Sequence, residues 1–127
     1  MAQAVAGLDK RTLAKALSGA GAAFSALSIV APREVAHAYG VPITPGGLQL
    51  QRLFGSRSLV ISALGLTAQT EEEIDRGLLA VAVMNAVDTL TALAAAARGT
   101  GRPTTIRAIA SSLVYGGAAL GIRSMKA

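Results

Sequence analysis

Arg57 and Asp88 are the two residues of this chain best placed to do chemistry. Each stands inside a long apolar run, RLFGSRSLVISALGL for Arg57 and GLLAVAVMNAVDTLTALAAAA for Asp88. An acid and a base shielded from water can anchor a ligand, move a proton, or simply fix the register of two helices. The runs are joined by TAQTEEEIDRG. Arg57 lies about 15 residues before the middle of that turn and Asp88 about 15 after it, so at ~1.5 Å per residue both stand roughly 23 Å from the turn. Equal distance from a hairpin turn means equal depth, and the spacing predicts that Arg57 and Asp88 form an ion pair. Asn85 is one helical turn from Asp88 on the same face, with Thr89 and Thr91 beside it. The same count from the next turn brings Tyr115 within a turn of Asp88 in depth. Asn85 and Tyr115 are therefore expected as hydrogen-bonding neighbours of the pair.

A second acid–base couple is Glu34 with His37, three residues apart in PREVAHAYG. It could do proton chemistry at a membrane surface or serve as an interfacial anchor, and the anchor is the simpler use. One histidine and no cysteine leave no ligand set for a zinc site, and no thiol nucleophile. There is no P-loop, no dinucleotide fingerprint and no nucleophile motif with a matching base. No metal and no cofactor is expected. Whether the chain is an enzyme is not decided by these residues.

The elements that must position Arg57 and Asp88 are four apolar segments in one domain of 127 residues. They are helices over about 13–31, 48–68, 77–97 and 104–122, each near the ~20 residues that cross a hydrocarbon core. Hydrophobic residues make up 52% of the chain and charged ones 15%, against about 25% charged in soluble domains. The mean hydropathy is +0.51. The fold expected is all-α, a four-helix transmembrane bundle with a short interfacial segment between helices 1 and 2. That segment is read as a helix over Arg33–Tyr39 followed by an extended turn. Asp9 fits an N-cap, Thr70 with Glu73 a capping box, Gly99 a C-terminal cap and Pro103 a first turn. A cleaved signal peptide ending at Ala36-His37-Ala38 is the rival for the first segment, but its apolar run is longer than usual and three similar segments follow. A soluble bundle is the other rival, but no segment carries a broad polar face.

The formal charge of +5 lies mostly at the edges of the apolar runs: Lys10, Arg11 and Lys15, then Arg98, Arg102 and Arg107, then Arg123 and Lys126. With no basic run interleaved with aromatics, headgroups of membrane lipids are the expected partners and nucleic acid is not. The count of basic residues favours cytoplasmic termini. Small residues form seams: Ser18, Gly21, Ser25 and Ser28 on the first helix, Gly55, Ser58, Ser62 and Gly65 on the second. Ser112 with Gly116, and Gly117 with Gly121, make further pairs on the last helix. Such seams let backbones approach closely. Arg57 is offset by about 100° from the second seam, so it can reach a different neighbour from the one packed there. Arg52, one turn from its helix start, can reach the interface.

Pro32, Ala36, Tyr39, Gly40, Val41 and Pro42, then Arg52, Gly55 and Arg57, then Asp88 and Thr89, form a pattern that resembles a family of small bacterial four-helix membrane proteins, loosely similar to the DoxX-like group. The resemblance spans about residues 13–122. It implies a four-span bundle in the bacterial inner membrane, with Arg57 and Asp88 as its polar centre, and carries no established activity. Two functions follow from the residues. One is an accessory protein holding a small lipophilic or lipid-like ligand near Arg57, Asn85, Asp88 and Tyr115. The other is an intramembrane cyclase or isomerase, with Asp88 as general acid or base. A third reading is a proton or ion path built by a homo-oligomer.

Overall fold

A computed structural model describes residues 4–5, 8–99 and 102–125; Lys126 lies outside them. Five helices make up nearly all of it: α1 Lys10–Val30, α2 Pro32–Tyr39, α3 Pro45–Thr67, α4 Glu71–Ala97 and α5 Arg102–Arg123. A two-residue antiparallel ladder, β1 Ala4–Val5 with β2 Leu8–Asp9, precedes α1. The sequence reading expects no strand there.

Local chemistry accounts for the ends. Asp9 accepts from the Thr12 backbone N–H at 2.8 Å and starts α1 three residues earlier than the apolar run alone suggests. That hydrogen bond holds the Asp9 carboxyl below the usual 3.8. The folded value is the lowered one, so the cap is intact above 3.8 and is lost as the pH falls through the lowered value. The Thr12 amide resonance is expected to titrate with a midpoint below 3.8 and to stop titrating in Asp9→Asn. α1 stops before Pro32, and Pro32 opens α2 at its first position. Gly40 closes α2 with φ 71°, a left-handed turn that glycine takes without strain. Thr44 accepts from Gly47 N–H at 3.0 Å and Pro45 fills the first turn, so α3 begins before the apolar run does. Thr70 caps α4 through Glu73 N–H at 3.1 Å, while the Glu73 carboxylate reaches back to Gln69 N–H at 2.8 Å. The capping box is thus present with its return bond moved one residue outward.

The helices form two close pairs. α1 packs most extensively on α3 and α4 on α5; the contacts between the pairs are fewer. The seams explain the first pair. A Cβ on Gly65 would strike Ser18, one on Gly21 would meet Ser62 Oγ at 2.7 Å, and one on Gly55 would meet Ser28 Cβ at 2.9 Å. The contacts run antiparallel along both helices. In the second pair, a Cβ on Gly116 would meet Asn85 Cβ at 2.9 Å. Gly117 and Gly121 have nothing within 4 Å, so that half of the expected α5 seam is not used inside the chain.

The interior is mixed: an apolar core around Ile74, Leu78 and Val81 is joined by buried polar residues, while large apolar side chains stand outside. Ser25 and Ser28 are fully buried, and Ser18, Ser58, Ser62 and Asn85 are buried too. Val30, Leu50, Val60, Leu64, Leu90 and Val114 lie exposed, Val30 at 78% and Val114 at 73%. α1, α4 and α5 are long and apolar enough to cross a membrane. α3 has the length, 23 residues, but falls outside that group because Gln49, Gln51, Arg52 and Arg57 dilute its apolar character.

The basic residues at the start of α1 turn inward, which corrects the headgroup reading for Lys10 and Lys15. Lys10 is 2% exposed and its Nζ lies 2.7 Å from Asp75 and 3.3 Å from Glu71. Lys15 donates to the carbonyls of Gly65, Leu66 and Ala68, the free end of α3. Arg11 donates to Gln69 O at 3.0 Å, and Arg123 to Asp75 O at 3.2 Å. The starts of α1 and α4 and the ends of α3 and α5 therefore meet at one end of the bundle. At the other end, Thr104 bonds Gly40 O at 2.7 Å and Arg107 bonds Ala38 O, seating α2 on α5.

Candidate functional site

The turn between α3 and α4 sets the depth of Arg57 and Asp88, and the seam between α1 and α3 sets the direction of Arg57. With Gly55, Ser62 and Gly65 facing α1 and Ser58 turned toward Met84, the Arg57 side chain is also left to reach α4. Its Nη2 lies 3.0 Å and 3.1 Å from the two Asp88 carboxylate oxygens. The guanidinium also sits over the Phe54 ring, 5.6 Å from its centroid, a cation–π contact. The Arg57 side chain is 46% exposed and the Asp88 side chain 23%. The pair thus closes the α3–α4 side of the molecule from outside.

Behind it lies a cavity of about 700 Å³ between the two helix pairs. Its wall is mostly carbon, with Phe24, Tyr39 and Phe54 supplying an aromatic cluster at ring separations of 5.9 Å and 6.0 Å. Polar side chains stand among the carbon, including Asp88, Asn85 and Thr91 from α4, Ser58 and Ser62 from α3, and Ser112 and Tyr115 from α5. Ala20, Thr91, Ser111 and Val114 line the cavity and are also exposed, which marks where it opens to the outside. A mostly apolar cleft of this size with a few convergent polar groups is the usual form of a small-molecule site.

Asp88, Asn85 and Tyr115 share this wall, but Asn85 and Tyr115 are not hydrogen-bonded to the ion pair. Asn85 donates its amide N–H to Val81 O at 2.8 Å. The Tyr115 hydroxyl donates to Leu17 O on α1. Gly21 leaves the space in which that hydroxyl meets α1. Thr89 bonds Asn85 O at 2.9 Å and does not line the cavity; Thr91, not expected as a site residue, does. Arg57 faces an outer groove with Arg76, Met84 and Val87. Glu34 and His37 are exposed on α2, form no hydrogen bond to each other and stand apart from the cavity wall. Arg52 is exposed on α3. No cluster able to hold a metal occurs among the described residues.

Sequence reasoning missed the serines Ser58, Ser62 and Ser112 as site residues, having read them as packing seams. Their type gives no signal that separates the two uses. The aromatic trio was also missed, because Phe24, Tyr39 and Phe54 come from three different helices. No family model, no curated protein and no solved structure matches the chain.

Proposed function

We propose that this chain is an integral membrane protein of four spans, α1, α3, α4 and α5, that holds a small lipophilic or lipid-like molecule in the central cavity in an accessory role. The observation that carries the reading is the 700 Å³ cavity itself, apolar over most of its wall and touched by Asp88. The exposed apolar side chains support the membrane setting: leucines and valines such as Val30, Leu50, Leu90 and Val114 stand outside while serines and an asparagine are buried. α3 qualifies as the fourth span once Arg57 is paired, because pairing removes most of the penalty for an ionised group in hydrocarbon. In this setting the Arg57–Asp88 pair lies within the bilayer, and the cavity opens toward acyl chains. The four-span arrangement also fits the small bacterial family, loosely DoxX-like, that the sequence resembles, and with it a place in the inner membrane; the count of basic residues favours cytoplasmic termini.

The holding role is preferred to acid–base catalysis because, among the described residues, Asp88 is the one carboxylate lining the cavity and no histidine, lysine, arginine or cysteine lines it beside Asp88 to act as its proton-transfer partner. The test is native extraction followed by mass spectrometry of co-purified small molecules. Wild-type protein is expected to carry a lipophilic molecule above the level of bulk lipid, and Asp88→Asn to carry less, as the neutral amide loosens the α3–α4 wall. A protein that carries nothing beyond bulk lipid would overturn the reading.

A further inference from the structure

The cavity contains a second polar cluster, separate from the ion pair. Ser62 of α3 and Ser112 of α5 line it at 5% and 8% exposure. Neither hydroxyl has a hydrogen-bond partner among the described residues, although serines elsewhere in these helices bond the carbonyl one turn back, as Ser25 does to Gly21 O at 2.6 Å. Asn85, 7% exposed, uses its amide N–H on Val81 O, and its side-chain carbonyl has no partner among the described residues. Ser58, 7% exposed, has only the Met84 sulfur at 3.9 Å, a weak acceptor. Four helix-borne polar groups from α3, α4 and α5 therefore face one cavity with unused hydrogen-bonding capacity. The oxygens of these groups are open to the cavity and not sealed away, so a molecule that fills it can take the hydrogen bonds they offer.

We propose that Asn85, against which Gly116 of α5 packs, and Ser112, one turn from Gly116, form a seat for the hydroxyl end of an uncharged lipid whose chain lies in the cavity along Phe24 and Phe54. This rests on the ligand-holding role argued above and names the ligand class. A hydroxyl suits the seat because it accepts from a serine while donating to the Asn85 carbonyl. A carboxylate does not suit it, since no lysine, arginine or histidine among the described residues lines the cavity to pair a buried anion. An ammonium does not suit it either, because the one carboxylate on the wall, Asp88, is already matched by Arg57. The Asp88 pair then closes the wall, and the serine and the amide choose the ligand.

The test uses full-length protein in phosphatidylcholine vesicles and three dodecyl probes, each with a mid-chain diazirine, ending in a hydroxyl, a methyl or a carboxylate. After illumination, labelling of Phe24 and Ala108 on the cavity wall is divided by labelling of Val60 and Leu64 on the outer face. The hydroxyl probe is expected to exceed the methyl probe in that ratio by about tenfold, the yield of one or two net hydrogen bonds. Ser112→Ala is expected to erase the difference, and Ser56→Ala, on the exposed side of α3, to leave it. Should the Ser112 variant fail to fold, the comparison of the three probes on wild type still decides. Equal ratios for hydroxyl and methyl ends, or a larger ratio for the carboxylate, overturn the hydroxyl seat while leaving the cavity a ligand site. Absence of cavity labelling by every probe overturns the ligand-holding role, and the seat with it.

Discussion

Replacing Asp88 with leucine while Arg57 stays in place is expected to destabilise the bundle by about 3 kcal/mol, and adding Arg57→Leu to restore most of that loss. The single change strands a guanidinium, and an unpaired charge in a low-dielectric setting costs several kcal/mol, whereas replacing both partners by apolar groups is often neutral. The size of the effect discriminates between surroundings. The Arg57 side chain is 46% exposed on the outer face. If that face met water, the pair would contribute no more than ~1 kcal/mol and the single change would pass almost unnoticed. If it meets acyl chains, the loss is several times larger. Unfolding in mixed micelles with increasing dodecyl sulfate measures both variants on one scale. A single-variant loss below ~1 kcal/mol would place Arg57 in water and remove α3 from the set of spans.

The largest purely steric effect is expected at Gly55. A Cβ there would lie 2.8 Å from Ser25 O, a backbone atom, and 2.9 Å from Ile29 Cγ1. Backbone cannot swing aside, so Gly55→Leu forces α1 and α3 apart and is expected to cost about 3 kcal/mol, the upper end for overpacking. The control is on the same scale and of opposite sign. Gly117 meets nothing within 4 Å in the middle of α5, so Gly117→Ala is expected to stabilise by roughly 0.5–1 kcal/mol through helix propensity alone. The same micelle titration reads both. Equal behaviour of the two variants would show that α1 and α3 do not meet at the seam.

Much of this arrangement could be read from the sequence because its causes are local or count residues along a helix. Pro32, Gly40, Asp9 and Thr70 act within a turn of themselves, and each does what its type predicts. Depth is also a counting problem, but the count about residues 69–76 pairs Arg57 with Asp88 only approximately. Glu71–Glu73 already open α4, and the turn is residues 68–70. Arg57 stands 12 residues from its centre and Asp88 19, and the long Arg57 side chain bridges the offset. Rotation about the helix axis is harder. Tyr115 has the expected depth, yet its hydroxyl goes to Leu17 O because α5 also faces α1, and nothing near Tyr115 encodes that neighbour. The cavity was invisible for the same reason: it arises from α1 pairing with α3 and α4 with α5, leaving space between pairs. Lys10 was misread because a lysine at the edge of an apolar run looks the same whether it finds a headgroup or a carboxylate 61 residues later. α3 starts before its expected first residue because Thr44, Pro45 and Gly47 nucleate a helix with no apolar residue to announce it.

That separation along the chain has a consequence for topogenesis. Lys10 precedes its partner Glu71 by 61 residues, so α1 emerges from the ribosome long before the α3–α4 turn exists. On the four-span reading with cytoplasmic termini proposed above, Lys10, Arg11 and Lys15 act as bare cations while orientation is being chosen and count fully toward retention on the cytoplasmic side. Only after α4 follows do Asp75 and Glu71 neutralise Lys10, and the carbonyls closing α3 take up Lys15. The same three side chains are first a sorting signal and then a lock, and the lock seals whichever orientation the signal chose.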